Sequence, residues 1–305
     1  MNAPKVFIIV PVHNNLKYTR ECLSQLRAQI GVSLGVIVVD DGSTDGTARC
    51  IEQDYPEVTL LSGSGQLWWT GAMVLACNHL LSTVQSCDFI LTLNNDTVFA
   101  PNFVAGLVDC SLKHGRAIVA ARCTAVGSGK ELNVAGKFHW AEARRTYNGE
   151  GSPSRAQEYD FLTSRAVIYP MEVFCRIGVF NAKMLPHYHA DMEFTYRAGK
   201  AGFPLVVDWD HCIQAHETKD TSGDHFCEGP YLTLRDAWNV LLSSRSMFYP
   251  PAMFRCIDLC CPTEYRARNK ISFLLGAISA SLGRTKTGSV MLRAYRRMKK
   301  KREPD

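Results

Sequence analysis

The first half of the chain alternates short, unbroken apolar runs with segments of helical spacing. Residues 6–10 form a continuous apolar run that ends at Pro11, which predicts a buried strand. Residues 16–29 place Cys22, Leu23 and Leu26 on one side of a helix. Residues 36–39 predict a second buried strand, closed by Asp40-Asp41, and Thr44, Asp45 and Thr47 suit the start of a helix through Ile51. Residues 58–61 predict a third strand, followed by the loop Ser62-Gly63-Ser64-Gly65 and a helix over 71–82. Residues 89–93 predict a fourth strand ending in Asn94-Asn95-Asp96. Pro101 opens a further helix to about residue 113, and residues 118–121 predict a fifth strand.

Beyond residue 124 the pattern weakens into Gly-, Ser- and Arg-rich sequence to about residue 159, read as hairpins or a mobile loop region. Residues 166–169 predict a strand and residues 191–201 a helix stopped by Gly202. Residues 205–207 and 212–215 predict two more strands. A polar loop over 217–229 precedes helical sequence to residue 246. The rest reads as amphipathic helices.

Strands alternating with helices at this spacing predict an α/β fold, with a mostly parallel sheet covered by helices on both faces. Ligands of such sheets bind beyond the carboxyl ends of the strands. The polar clusters His13-Asn14, Asp40-Asp41, Gly63–Gly65 and Asn94–Asp96 all fall there. The expected organisation is a domain over 1–246, with a first half 1–123 and a second half 124–246, then a helical, basic segment over 247–305.

Composition narrows the class. A chain of 305 residues with 46% hydrophobic and 21% charged residues folds as an ordinary globular protein. No run approaches the ~18 apolar residues that read as a spanning helix, and the start lacks a secretory pattern, so a cytoplasmic protein is expected. The twelve cysteines contain no C-x-x-C pair, which favours small core thiols over a zinc ribbon, although Cys256, Cys260 and Cys261 could bind metal. The net charge is +5, and residues 284–302 hold nine basic side chains and no acidic one. Phosphate-bearing partners follow, an anionic membrane ahead of nucleic acid. Phe248, Met253, Phe254, Phe273, Leu274 and Leu275 supply the apolar part of that expectation. A solvated helix end is the competing reading.

Asp96 stands where a strand would deliver a carboxylate to a cation and a diphosphate. The competing reading of Asn94-Asn95-Asp96-Thr97 is a turn, and that of Asp40 to Gly46 is a turn and helix cap. Trp68 and Trp69 offer faces for sugar rings, or for the core.

Together these pieces resemble a family. Pro11-Val12-His13-Asn14-Asn15, Val38-Val39-Asp40-Asp41-Gly42-Ser43-Thr44-Asp45-Gly46-Thr47 and Leu93-Asn94-Asn95-Asp96-Thr97 are similar to blocks of the family 2 glycosyltransferases of GT-A fold. Asp160-Phe161-Leu162-Thr163, Ile177-Gly178-Val179-Phe180, Ala190-Asp191-Met192-Glu193-Phe194, Arg197-Ala198, Ala201-Gly202-Phe203 and His216-Glu217 continue it, covering about residues 5–246. The most similar subgroup contains rhamnosyl- and galactofuranosyltransferases of bacterial surface polysaccharides.

The resemblance implies a Rossmann-like GT-A fold and an inverting transfer of sugar from a dTDP- or UDP-sugar to a glycan or lipid-linked glycan hydroxyl. It implies that Pro11, His13, Asp40, Asp41, Gly65, Trp69, Asn95 and Asp96 hold the donor. Trp68, His189 and Glu193 would face the acceptor. Asp96 and His216 would bind Mg²⁺ or Mn²⁺, and Asp191 would act as general base, with Glu193 as its rival. The usual D-x-D is Asn94-Asn95-Asp96 here, and Ala190 replaces the usual acidic or glycine residue before the base. A non-catalytic relative that binds nucleotide sugar is one alternative. A sugar nucleotidyltransferase is another, although Pro11–Asn14 is not the Gly-rich, basic loop such an enzyme wants.

Overall fold

A computed structural model describes residues 3–84, 86–148, 159–216, 232–244 and 246–285. The chain divides into two compact units, Met1–His139 with Arg145–His216, and Trp140–Arg144 with Glu217–Asp305. The boundary expected at 246/247 lies inside the second unit.

The first unit is built on a nine-stranded sheet. Its strands are β1 (Lys5–Val12), β2 (Ser33–Asp40), β3 (Thr59–Ser62), β4 (Phe89–Leu93), β5 (Thr97–Val98), β6 (Ile118–Ala125), β7 (Glu131–Leu132), β11 (Ala166–Pro170) and β12 (Leu205–Ala215), in the order β3-β2-β1-β4-β11-β6-β12-β5, with β7 beside β6. A separate three-stranded sheet holds β8 (Ala135–His139), β9 (Arg144–Tyr147) and β10 (Phe161–Leu162). In the large sheet β1, β2, β3, β4, β6 and β12 run one way, and β5, β7 and β11 run the other. The expected mostly parallel sheet is therefore present. Its central strands are apolar on both faces, as strands covered by helices must be: every residue of β4 and β11 is buried.

Helices α1 (Leu16–Arg27), α2 (Thr47–Asp54), α3 (Trp68–Thr83), α4 (Phe103–Lys113), α5 (Met171–Ile177) and α6 (Ala190–Lys200) complete the unit. Cys22, Leu23 and Leu26 of α1 are buried together, as their spacing requires. The two strands expected over 205–215 are one strand, β12. Its register shifts between Asp208 and Cys212, where the Asp208 carboxylate accepts the N–H groups of Asp210 (2.9 Å) and His211 (3.2 Å). The polar residues that broke the apolar pattern make a bulge, not a chain break. Helix α3 starts at Trp68, ahead of the expected residue 71, for a reason found at the loop before it.

An aromatic cluster seats α6. Phe194 stacks on Phe180 at 4.2 Å between centroids and meets Phe174 at 5.2 Å and Tyr169 at 5.6 Å. Burying each such ring is worth about 2–3 kcal/mol, which fixes the helix on the sheet.

The second unit contains α7 (Leu234–Leu242), α8 (Pro250–Cys260) and α9 (Arg266–Gly283). Thr233 and Asp236 form a reciprocal capping box at the start of α7. Pro250 and Pro251 start α8 where their missing N–H groups do no harm. Helix α9 packs on α7 and α8, and Asn269 donates to the Trp140 carbonyl at 2.8 Å. Cys256, Cys260 and Cys261 are buried, so the cysteine-as-core reading holds for them. The eleven cysteines among the described residues are all free thiols. No helix among the described residues is long and apolar enough to cross a membrane. The polar loop 217–229 and most of the basic stretch lie outside the described residues.

Candidate active site

The carboxyl ends of β1, β2, β3, β4 and β12 converge with the reversed start of β11, and the candidate residues sit on the turns that leave them. At the β1 and β2 ends, side chains bind neighbouring backbone. The His13 Nδ1–H donates to the Asp41 carbonyl at 2.7 Å, Asp40 Oδ1 accepts the Ser43 N–H at 2.9 Å, and Asn14 Oδ1 accepts the Thr44 N–H at 2.9 Å. Pro11 pairs with Val39 in the parallel ladder. The turn reading of Asp40 to Gly46 is met: the turn is built, and it shapes the rim of the strand ends.

Asp41 carries more than a cap. Its Oδ1 accepts the Gly65 N–H at 2.7 Å and its Oδ2 accepts the Trp68 N–H at 2.9 Å. This carboxylate holds the loop 63–68 against the β2 end and explains the early start of α3. Trp68 sits at φ +58°, a left-handed conformation that a non-glycine residue adopts only when held there. The loops approach so closely that a Cβ on Gly63 would lie 2.6 Å from Asp41 Oδ1, and one on Gly42 would lie 3.0 Å from the Gly65 Cα. Gly65 itself has φ +80°. The glycine loop expected to bind donor is therefore latched by a residue expected to do the same.

The two tryptophans diverge. Trp68 faces His187, at 5.5 Å between ring centroids. Trp69 meets Phe180 edge-on at 5.4 Å and packs against the core. Trp69 is only half-buried, so packing takes up part of its ring. The start of α3 also reaches the segment before α6: the Thr70 N–H donates to the Pro186 carbonyl and its hydroxyl to the His187 carbonyl, each at 3.3 Å.

Asp96 and His216 are brought together by the sheet. β5 pairs antiparallel with the end of β12, and the ladder continues as a 2.9 Å bond from the His216 N–H to the Asp96 carbonyl. The His216 ring stacks on Tyr18 at 4.5 Å, and its Nε2 lies 3.9 Å from Glu21 Oε2, too far for a hydrogen bond. Nε2 of His216 and Oδ1 of Asn94 are both buried with no hydrogen-bond partner. Such orphans are rare, and each flanks Asp96. Asn95 donates to the Thr19 hydroxyl of α1 at 2.9 Å. Among the described residues no three His, Cys, Asp or Glu side chains form a metal-binding group.

Asp191 occupies the first turn of α6, where the helix dipole favours a carboxylate. Oδ2 accepts the Ser164 N–H at 3.0 Å and Oδ1 the Met192 N–H at 2.8 Å. Burial pushes this carboxyl above the ordinary aspartate range, and the two N–H bonds pull in the opposite direction. A carboxylate with a raised proton affinity is a better base at neutral pH than an exposed one. Ser164 also links it to the first half of the chain. The adjacent Arg165 carbonyl accepts the Asn94 N–H at 2.9 Å, because β11 runs antiparallel to β4 with Ala166 opposite Leu93. Two hydrogen bonds and one peptide unit therefore join Asp191 to the Asn94–Asp96 turn. Neither Ser164 nor Arg165 was singled out from sequence; their position just after the Asp160–Thr163 block was the available signal.

His189 precedes α6 at φ +71° and is buried. Glu193, expected at the acceptor or as a rival base, makes a buried ion pair within α6. Its side chain is 5% exposed and pairs with Arg197 at 2.8 Å, and Arg197 in turn donates to the carbonyls of Ile177 and Val179. That network fixes the turn before Phe180.

Comparison with known proteins agrees with this fold. The pattern of "Glycosyl transferase family 2" matches residues 7–178, more than half of the chain. An "N-acetylglucosaminyl-diphospho-decaprenol L-rhamnosyltransferase" of Mycobacterium tuberculosis is 23% identical over 216 residues, covering 63% of this chain and 69% of that protein. Among solved structures, Staphylococcus aureus TarS 1–349 superposes with a TM-score of 0.54 at 16% identity, covering 92% of this chain and 83% of that one. The mannosyltransferase PcManGT of Pyrobaculum calidifontis, in complex with GDP-Man and Mn²⁺, gives 0.55 at 16% identity, covering 98% and 81%. With strand-end carboxylates, a sheet of this order and that match in hand, the chain belongs to glycosyl transferase family 2 and is a glycosyltransferase of GT-A fold.

Proposed function

We propose that the chain is an inverting glycosyltransferase that uses a nucleotide-diphosphate sugar, of the dTDP or UDP type, and a glycan or lipid-linked glycan acceptor. The observation that carries this is the tether from Asp191 through Ser164 and Arg165 to Asn94. It supports reading Asp191, whose carboxyl is raised by burial, as the base acting next to the turn that bears Asp96. An acceptor hydroxyl attacks the sugar C1 as Asp191 Oδ takes its proton, and the nucleoside diphosphate leaves from the opposite face. One direct displacement inverts the anomeric centre. Asp191 keeps one backbone N–H on each oxygen, so the carboxylate is oriented before the acceptor arrives.

The residues around Asp96 fit a divalent cation. Asp96 supplies a carboxylate, Asn94 a buried, unbonded amide oxygen, and His216 a buried, unbonded ring nitrogen. This oxygen-and-imidazole set suits Mn²⁺, with Mg²⁺ also possible through the oxygens. When bound, the cation would stabilise charge developing on the leaving diphosphate. The Asp40–Ser43 turn and the Asp41-latched loop would form the nucleoside wall, with Trp68 and His189 on the acceptor side. The lipid-linked acceptor follows the name of the mycobacterial relative. The free thiols suit a cytoplasmic, reducing compartment.

The test is a panel of nucleotide sugars with Mn²⁺ in a thermal-shift screen, followed by NMR of the product anomer. A dTDP- or UDP-sugar should raise the apparent stability, and the product should carry the inverted configuration. Retention of configuration, or wild-type transfer by Asp191→Asn, overturns the base assignment.

A further inference from the structure

Nine of the thirteen large apolar side chains that stand exposed among the described residues belong to the second unit. Seven of them lie on two helices. On α7, Leu234, Trp238 and Leu242 are 66%, 62% and 70% exposed and recur every four residues, an arc of about 80° at helical spacing. The same helix buries Ala237, Val240 and Leu241, so its core requirement is already met by another face. On α9, Ile271, Leu274, Leu275 and Leu282 are exposed and share an arc of about 100°, while Ala277 and Ser281 are buried. A soluble helix with one buried apolar face is ordinary; a second, exposed apolar face on each of two packed helices is not.

The charge of the neighbouring chain distinguishes among occupants. The Leu232 N–H donates to the Arg284 carbonyl at 3.1 Å, and Leu232 bridges Thr285, so the start of α7 lies beside the end of α9. The nine basic residues of 284–302, with no acidic one, begin at that point. A second copy seated on this face would bring two such stretches together against their repulsion. An anionic surface gains from them, and a tryptophan among leucines suits the boundary between headgroups and acyl chains.

We infer that the outer face of α7 and α9, centred on Leu234, Trp238, Leu242, Ile271 and Leu275, is a seat for an anionic lipid bilayer, with the basic stretch from Arg284 onward as its electrostatic partner. Of the apolar residues that the sequence pattern nominated, Leu274 and Leu275 are exposed on α9, whereas Met253 is buried in the unit and Phe248, Phe254 and Phe273 are partly covered. The seat is independent of the transfer chemistry, since none of its residues belongs to the candidate active site.

The experiment is vesicle co-sedimentation of the full chain with phosphatidylcholine alone and with one-third phosphatidylglycerol. The variants are Leu234→Ser/Trp238→Ser/Leu242→Ser and Lys299→Glu/Lys300→Glu/Lys301→Glu, each checked by thermal unfolding. Binding to the anionic vesicles should exceed binding to neutral ones at least tenfold, and each triple variant should lose at least tenfold while unfolding at the wild-type temperature. A Trp238→Phe variant should lose the blue shift of tryptophan emission that anionic vesicles induce in the wild type. Equal binding to both vesicles overturns the proposal. So does unchanged binding by the Leu/Trp variant, or a lipid-free dimer that this variant turns into monomer, which would make a second copy the occupant.

Discussion

Removing the Asp41 carboxylate should loosen one loop by an amount that can be worked out beforehand. Asp41→Ala leaves the N–H groups of Gly65 and Trp68 without their 2.7 and 2.9 Å acceptors. A charge-assisted bond of this kind is worth about 1.5–3 kcal/mol net when well buried. Both donors are only half-buried, so water recovers part, and about 1–2 kcal/mol each is the better figure. Against this, Trp68 is released from φ +58°, recovering about 1 kcal/mol of backbone strain. The net cost is about 1–3 kcal/mol. Asp41→Asn keeps one acceptor but turns an NH₂ toward the other N–H, so it should cost about half as much. Urea unfolding at constant slope measures the sum, and amide exchange at Gly65 and Trp68 localises it. The KM for donor should rise in both variants, because the loop that would wall the nucleoside has moved. If Asp41→Ala unfolds within about 0.5 kcal/mol of wild type and both amides exchange as before, the latch does not exist in solution.

Asp191→Asn should lower kcat by about 10²–10⁴ with donor affinity nearly unchanged, checked by steady-state kinetics and calorimetric titration of donor. Because the Asp191 pKa is raised in the fold, its protonation favours the native state. Its stabilising contribution is full below the unfolded value of about 3.9 and is lost as pH rises through the folded value, while kcat should climb over the same window as the base is freed. Comparing pH profiles of wild type and Asp191→Asn reads both. Asp96→Asn and His216→Ala should each weaken Mn²⁺ binding at least tenfold, read by electron paramagnetic resonance of free Mn²⁺. Glu193→Gln should cost roughly 1–3 kcal/mol by urea unfolding, yet keep the wild-type acid limb in its pH–rate profile, which a base could not do. Phe194→Ala should cost about 3–5 kcal/mol by emptying the cluster under α6.

The strands and their terminal turns were legible because a buried parallel strand leaves a continuous apolar run, and a glycine-rich or acidic stop follows it. Residues 6–10, 36–39 and 89–93 all read correctly for that reason. What depended on pairing between distant segments was not legible. The β5–β12 ladder that brings His216 to Asp96 joins residues more than a hundred apart, and β5 has only two residues, too few for any periodicity. The bulge at Asp208 split one strand into two apparent ones. Glu193 and Arg197 stand four apart, which spacing alone reports as a surface pair; only the burial beneath Phe180 reveals an anchor. The two adjacent tryptophans differ because Trp68 is held at φ +58°, outside the helical conformation, so spacing alone does not report where either ring lies.

The reversed strand β11 works as a spacer between two halves of the candidate site. Its register, Ala166 opposite Leu93, sets how far Asp191's tether stands from the Asn94–Asp96 turn, and every residue in the strand is buried. Slipping it by a single residue would shift the tether by about 3.4 Å and turn its side chains to the wrong face. The distance between the Asp191 tether and the Asn94–Asp96 turn is therefore held by packing inside the sheet, out of reach of any change confined to the surface.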